Sequence, residues 1–102
     1  MGKLDQLMKQ AQQMQAQMAA IQKELAESSF SGQAGGGLVT VTLKGSMELE
    51  EVKIAPQALE GGDAEMLEDL LMAAFRAAQD AVRKASEEKL GPMTRGLGLP
   101  GF

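Results

Sequence analysis

The chain has 102 residues, 44% hydrophobic and 24% charged, with a formal net charge of -4 and neither cysteine nor histidine. That length supports one small domain, and no apolar run approaches the ~18 residues that a membrane span requires. Without cysteine there are no disulfides, thiol nucleophiles or thiolate metal sites, and without histidine the usual general base and a common metal ligand are gone, so no enzyme, cofactor or metal site is expected.

The N-terminus enters polar helical sequence at once, without the apolar stretch and cleavage site of a secretory signal, which predicts a cytoplasmic protein. Apolar side chains then recur at Leu4, Leu7, Ala11, Met14, Met18, Ile21 and Leu25, at alternating spacings of three and four. This heptad pattern predicts a helix over residues 3–27 with a narrow apolar seam, the form of a coiled coil or of a helix laid on a partner. Leu7, Met14, Met18 and Ile21, together with Val39, Val41 and Leu43 further along the chain, are candidates for helix packing or dimer contact. Part of the seam is expected to lie on the chain's own second helix.

Between Ser28 and Gly37 the helical pattern stops, and the glycines at 35, 36 and 37 mark a turn. Phe30 suggests a short, weak strand before them. The glycines lead into a strand, so they are not a phosphate-binding loop, which would open a helix. From Leu38 the chain alternates, with Val39, Val41 and Leu43 on one face and Thr40, Thr42 and Lys44 on the other, which predicts a half-buried strand. Gly45-Ser46 connects it to a returning strand over Met47–Ile54. A bulge near Glu50-Glu51 would bring Met47, Leu49, Val52 and Ile54 to one face.

Pro56 ends that strand, a loop follows through Gly62, and Asp63 is placed to cap a second helix. That helix carries Met66, Leu67, Leu70, Leu71, Ala74, Phe75, Ala78, Ala81, Val82 and Ala85 at helical spacing, a stripe wide enough to cover a sheet. Gly91-Pro92 is expected to stop it, leaving residues 93–102 as a mobile tail beyond a single domain of residues 1–92. The fold class is therefore α+β: a long N-terminal helix, an antiparallel sheet of two to three strands, and a long C-terminal helix.

Three stretches carry a resemblance: Met8-Lys9-Gln10-Ala11-Gln12-Gln13-Met14-Gln15, the turn Ala34-Gly35-Gly36-Gly37-Leu38-Val39, and Met66-Leu67-Glu68-Asp69-Leu70 with Ala73-Ala74-Phe75. Together with the closing Leu99-Pro100-Gly101-Phe102, they make residues 3 to 102 similar to the YbaB/EbfC nucleoid-associated proteins. The resemblance implies a homodimer joined through its sheets, with helices projecting like the arms of tweezers, that binds double-stranded DNA and catalyses nothing. Such a protein would work on the nucleoid, altering DNA organisation and gene expression.

Charge is unevenly distributed. Residues 48–69 hold eight acids against Lys53 alone, whereas residues 1–23 hold three lysines against Asp5, and residues 76–95 hold five bases against three acids. Phosphate contacts dominate nonspecific DNA affinity, so the candidates for DNA contact are Lys3, Lys9 and Lys23 on the first helix and Arg83, Lys84 and Lys89 on the second. Lys9 sits among glutamines, whereas Lys23 adjoins Glu24. With neither tyrosine nor tryptophan to stack on bases, duplex is expected over single strands. A second reading is a protein-interaction module whose seam and methionines dock a helix of a replication or recombination protein.

Overall fold

The computed structural model describes residues 2–96. The helix α1 (Gly2–Glu27) leads into an antiparallel sheet of three strands, β1 (Ser29–Ala34), β2 (Val39–Lys44) and β3 (Leu49–Ile54), in the order β1-β2-β3. A 3-10 segment, Pro56–Gly62, then connects to α2 (Ala64–Gly96). The α+β expectation holds, with the sheet at three strands.

α1 ends at Ser28, whose hydroxyl and backbone N–H both donate to the Glu24 carbonyl, at 2.7 and 3.1 Å. The chain turns directly into β1, which is a full six-residue strand and not the weak element that its Ser, Gly and Gln content suggests. Its pairing with β2 sets Phe30, Gly32 and Ala34 opposite Leu43, Val41 and Val39. Glycine at position 32 is what lets α2 approach. A Cβ there would meet the backbone of Ala74, Ala77 and Ala78, so helix and strand touch main chain to main chain.

Gly35, Gly36 and Gly37 all have positive φ, at 65°, 67° and 95°, which lets the β1–β2 connection close tightly. The connection to β3 differs from expectation. Met47 belongs to the turn, not the strand, with φ of 73° and its N–H donating to the Lys44 carbonyl at 2.8 Å. The bulge lies where the slipped alternation puts it: Thr42 pairs with Glu51 and Leu43 with Leu49, leaving Glu50 as the extra residue.

Asp63 caps α2 through a hydrogen bond from the Met66 N–H to its Oδ1 at 3.0 Å. The helix lays Ala74, Ala78 and Val82 on Val39, Val41 and Leu43, and these six buried side chains form the core, flanked by Phe30, Leu67, Leu70 and Phe75. The other sheet face is polar: Ser31 and Thr42 share a hydrogen bond at 3.0 Å, and Lys53 pairs with Glu51.

α2 does not stop at Gly91-Pro92 but runs through Pro92 to Gly96. Proline removes the N–H that would bond the Glu88 carbonyl, but Glu88 is exposed, so water can satisfy that carbonyl. In the preceding turn, half-buried Leu90 lines a cleft with Gln22, Leu25 and Ala26 of α1. Residues 93–96 of the expected tail therefore continue α2, and residues 97–102 lie outside the described residues.

Candidate nucleic-acid interface

α1 spans about 39 Å at 1.5 Å per residue. Only its C-terminal part rests on the body, where Leu25 and Ala26 meet Gly45 of the β2–β3 turn and Val82 of α2. Along the seam, Met14, Met18, Ile21 and Leu25 are half-buried, whereas Leu4 and Leu7 are 65% and 62% exposed. The seam thus meets the body at its C-terminal end, around residues 22–26, and the N-terminal half projects. The shape follows: the Cα radius of gyration is 19.7 Å and the long axis 74 Å, against a radius of about 13 Å for a compact chain of this size.

Val39, Val41 and Leu43 are wholly covered by α2, so their role is packing inside the chain. The exposed apolar side chains of the sheet are on β3. Leu49, Val52 and Ile54 pair with Leu43, Val41 and Val39, so they share the α2 side of the sheet, yet they are 58%, 40% and 38% exposed. α2 packs on β1 and β2 and leaves this third strand uncovered.

The six candidate basic residues fall into two groups. Lys3 and Lys9 lie on the projecting half of α1. Lys23, Arg83, Lys84 and Lys89 lie where α1 and α2 run together, tied by the Lys89 Nζ to Glu24 Oε1 pair at 3.8 Å. Arg83 donates to Asp80 Oδ1 at 3.1 Å. Both pairs are exposed and so contribute little to stability, leaving each cation able to exchange its carboxylate for a phosphate. Arg83, Lys84 and Lys89 point around α2 in different directions, at about 100° per residue, so they do not make one patch. Among the described residues, Lys3, Lys9, Lys23 and Lys84 have no ion-pair partner.

Two further cations without an ion-pair partner among the described residues, Lys44 on the open sheet face and Arg76 on the outer side of α2, are not among the six DNA-contact candidates. Lys44 alternates with Thr40 and Thr42, and Arg76 lies seven residues before Arg83 on the same helical face, so periodicity was the signal available for both. The acids of residues 48–69 gather on β3 and the turn before it, the 3-10 segment and the start of α2, none of them on the projecting half of α1. Cation-bearing arm and acidic body are therefore separate parts of the fold.

The model of the YbaB/EbfC DNA-binding family matches residues 1–97. The chain belongs to this family. Membership of YbaB/EbfC sets it among DNA-binding proteins, not enzymes. A nucleoid-associated protein of Saccharopolyspora erythraea is 47% identical, over 97% of this chain and 93% of the relative. One from Streptomyces griseus is 48% identical, over 97% of this chain and 90% of the relative. Among solved structures, an uncharacterized protein, HP0035, of Helicobacter pylori superposes with a TM-score of 0.65 at 24% identity, covering 92% of this chain and 96% of that one, and so shares this chain's fold.

Proposed function

We propose that this YbaB/EbfC chain is a nucleoid-associated protein that grips double-stranded DNA as a homodimer, mainly through the phosphate backbone, in the bacterial cytoplasm. The observation that carries the reading is the separation of charge along the fold: Lys3 and Lys9 against the single Asp5 on a projecting arm, and the eight acids of residues 48–69 on the body. A duplex is drawn to the arms and repelled by the body, which fixes the side from which it approaches. The relatives' names, nucleoid-associated protein, support the same reading. Dimers that grip the backbone alter the shape and accessibility of the DNA they coat, and through it gene expression.

β3 supports the dimer. It is an edge strand with free backbone groups and an exposed apolar row, Leu49, Val52 and Ile54, a combination that folded chains normally cover. A second copy paired on this edge continues the sheet, adds apolar burial that a domain this small lacks, and supplies a second arm.

Sedimentation velocity tests it. The wild-type chain sediments at twice the chain mass. Val52→Glu, which puts a charge in the middle of the exposed row, sediments at the single-chain mass with unchanged helix content and loses duplex affinity along with the second arm. A wild-type chain that sediments at the single-chain mass at tens of micromolar, on the order of weak encounter affinities, contradicts the dimer.

A further inference from the structure

Gln6, Gln10, Gln13 and Gln17 follow one another along α1 at intervals of four, three and four residues. At about 100° per residue they fall within about 60° of one another around the axis, and the midline of this row is about 100° from the midline of the apolar seam. All four are exposed, and none of their side-chain amides hydrogen-bonds to another group among the described residues. Lys3 lies about 50° to one side of the row and Lys9 about 70° to the other. The projecting arm therefore presents a neutral strip of amides bordered by two unpaired cations.

Lysines at the borders fit phosphates, which any duplex offers. Amides add something different: each holds a donor and an acceptor on one flat group, the pattern that matches N6–H and N7 of adenine in the major groove. That groove, about 12 Å wide, admits a helix. From Gln6 to Gln17 the helix rises about 16 Å, close to five base-pair steps at about 3.4 Å. With the amides on the base edges, Lys3 and Lys9 face the two strands that wall the groove. Met14 and Met18, half-buried, lie on the seam side of the helix, around from the midline of the glutamine row.

We propose that the glutamine face of α1 enters the major groove and reads adenine edges through Gln6, Gln10, Gln13 and Gln17, adding a preference for adenine-bearing sequence to the phosphate affinity. This rests on the DNA-binding reading above.

Fluorescence anisotropy of the full chain against three duplexes of equal length tests it: one rich in A·T pairs, one of G·C pairs only, and the A·T duplex with 7-deazaadenine, which lacks the N7 acceptor. The wild type binds the A·T duplex about tenfold more tightly than either of the others. The quadruple variant Gln6→Ala, Gln10→Ala, Gln13→Ala, Gln17→Ala keeps its helix, since alanine is the better helix former. It binds all three duplexes within about twofold, with the wild-type salt dependence. Gln12→Ala with Gln15→Ala, around the helix from the row, behaves as wild type. The proposal is overturned if the quadruple variant keeps the wild-type preference, or if the wild type binds yet ignores the 7-deazaadenine change. A wild type that binds no duplex at low salt removes the DNA-binding reading and this inference together.

Discussion

Gly32→Ala lowers the midpoint of thermal unfolding by about 10–20 °C, corresponding to a loss of about 2–3 kcal/mol. One methyl group has this effect because of what it meets. The added Cβ runs into the backbone of Ala74, Ala77 and Ala78, and backbone in the middle of a helix cannot turn aside as a flexible side chain can. α2 must lift from β1, and the lifted helix is the one that covers Val39, Val41 and Leu43. Among the described residues this core cluster has six buried side chains, so little other packing compensates. Differential scanning calorimetry reads the shift; a midpoint within about two degrees of wild type would show that α2 does not lie on β1 at this position.

Lys3→Glu with Lys9→Glu reduces duplex affinity at least about a hundredfold at low salt while leaving the fold intact. Neither lysine has an ion-pair partner among the described residues, so the described fold draws no support of that kind from them. In a dimer the change withdraws four cations from the phosphates and sets four carboxylates against the duplex. The same double change to glutamine separates the two effects, flattening the salt dependence by about one for each phosphate no longer neutralised, without the added repulsion. Undiminished affinity in the charge-reversed variant sinks the assignment of the arm tip as the DNA-gripping surface, whatever its effect on unfolding.

Much of this molecule is written in local pattern. The heptad spacing of Leu4 to Leu25 announces α1, the alternation from Val39 to Leu43 announces β2, and the slip between Leu49 and Val52 places the bulge at Glu50. Asp63 caps α2 as its side chain predicts. β1 is poorly legible because its stability comes from elsewhere: Ser, Gly and Gln are weak strand formers, and the strand exists because β2 pairs with it and Gly32 admits α2. Met47 reads as a strand residue by hydrophobicity, but the two hydrogen bonds of the Lys44 turn hold it at positive φ. Pro92 reads as a stop, yet a solvent-facing turn near a helix end tolerates the missing donor.

The candidate interface divides the same way. Lys9 stands out in the sequence because its neighbours are glutamines, and the structure leaves it unpaired. The partners of Arg83 and Lys89 depend on rotamer and on the approach of α1 to α2, and the Glu24 pairing joins residues 65 positions apart, beyond what spacing can show. That β3 is the uncovered strand is likewise invisible in one chain's pattern, since Val52 and Val41 alternate alike and only the position of α2 separates them.

The most direct test of the central claim is the salt dependence of duplex binding by the wild-type chain, measured by anisotropy between low and physiological salt. If the arms of a dimer grip the backbone through Lys3 and Lys9, the slope of log affinity against log salt is about -3.6 or steeper, at about -0.9 for each phosphate neutralised. A slope shallower than about -1, or no binding at the lowest salt, would contradict phosphate gripping and turn attention to the exposed Leu4, Leu7 and Met8 as a surface for a protein partner.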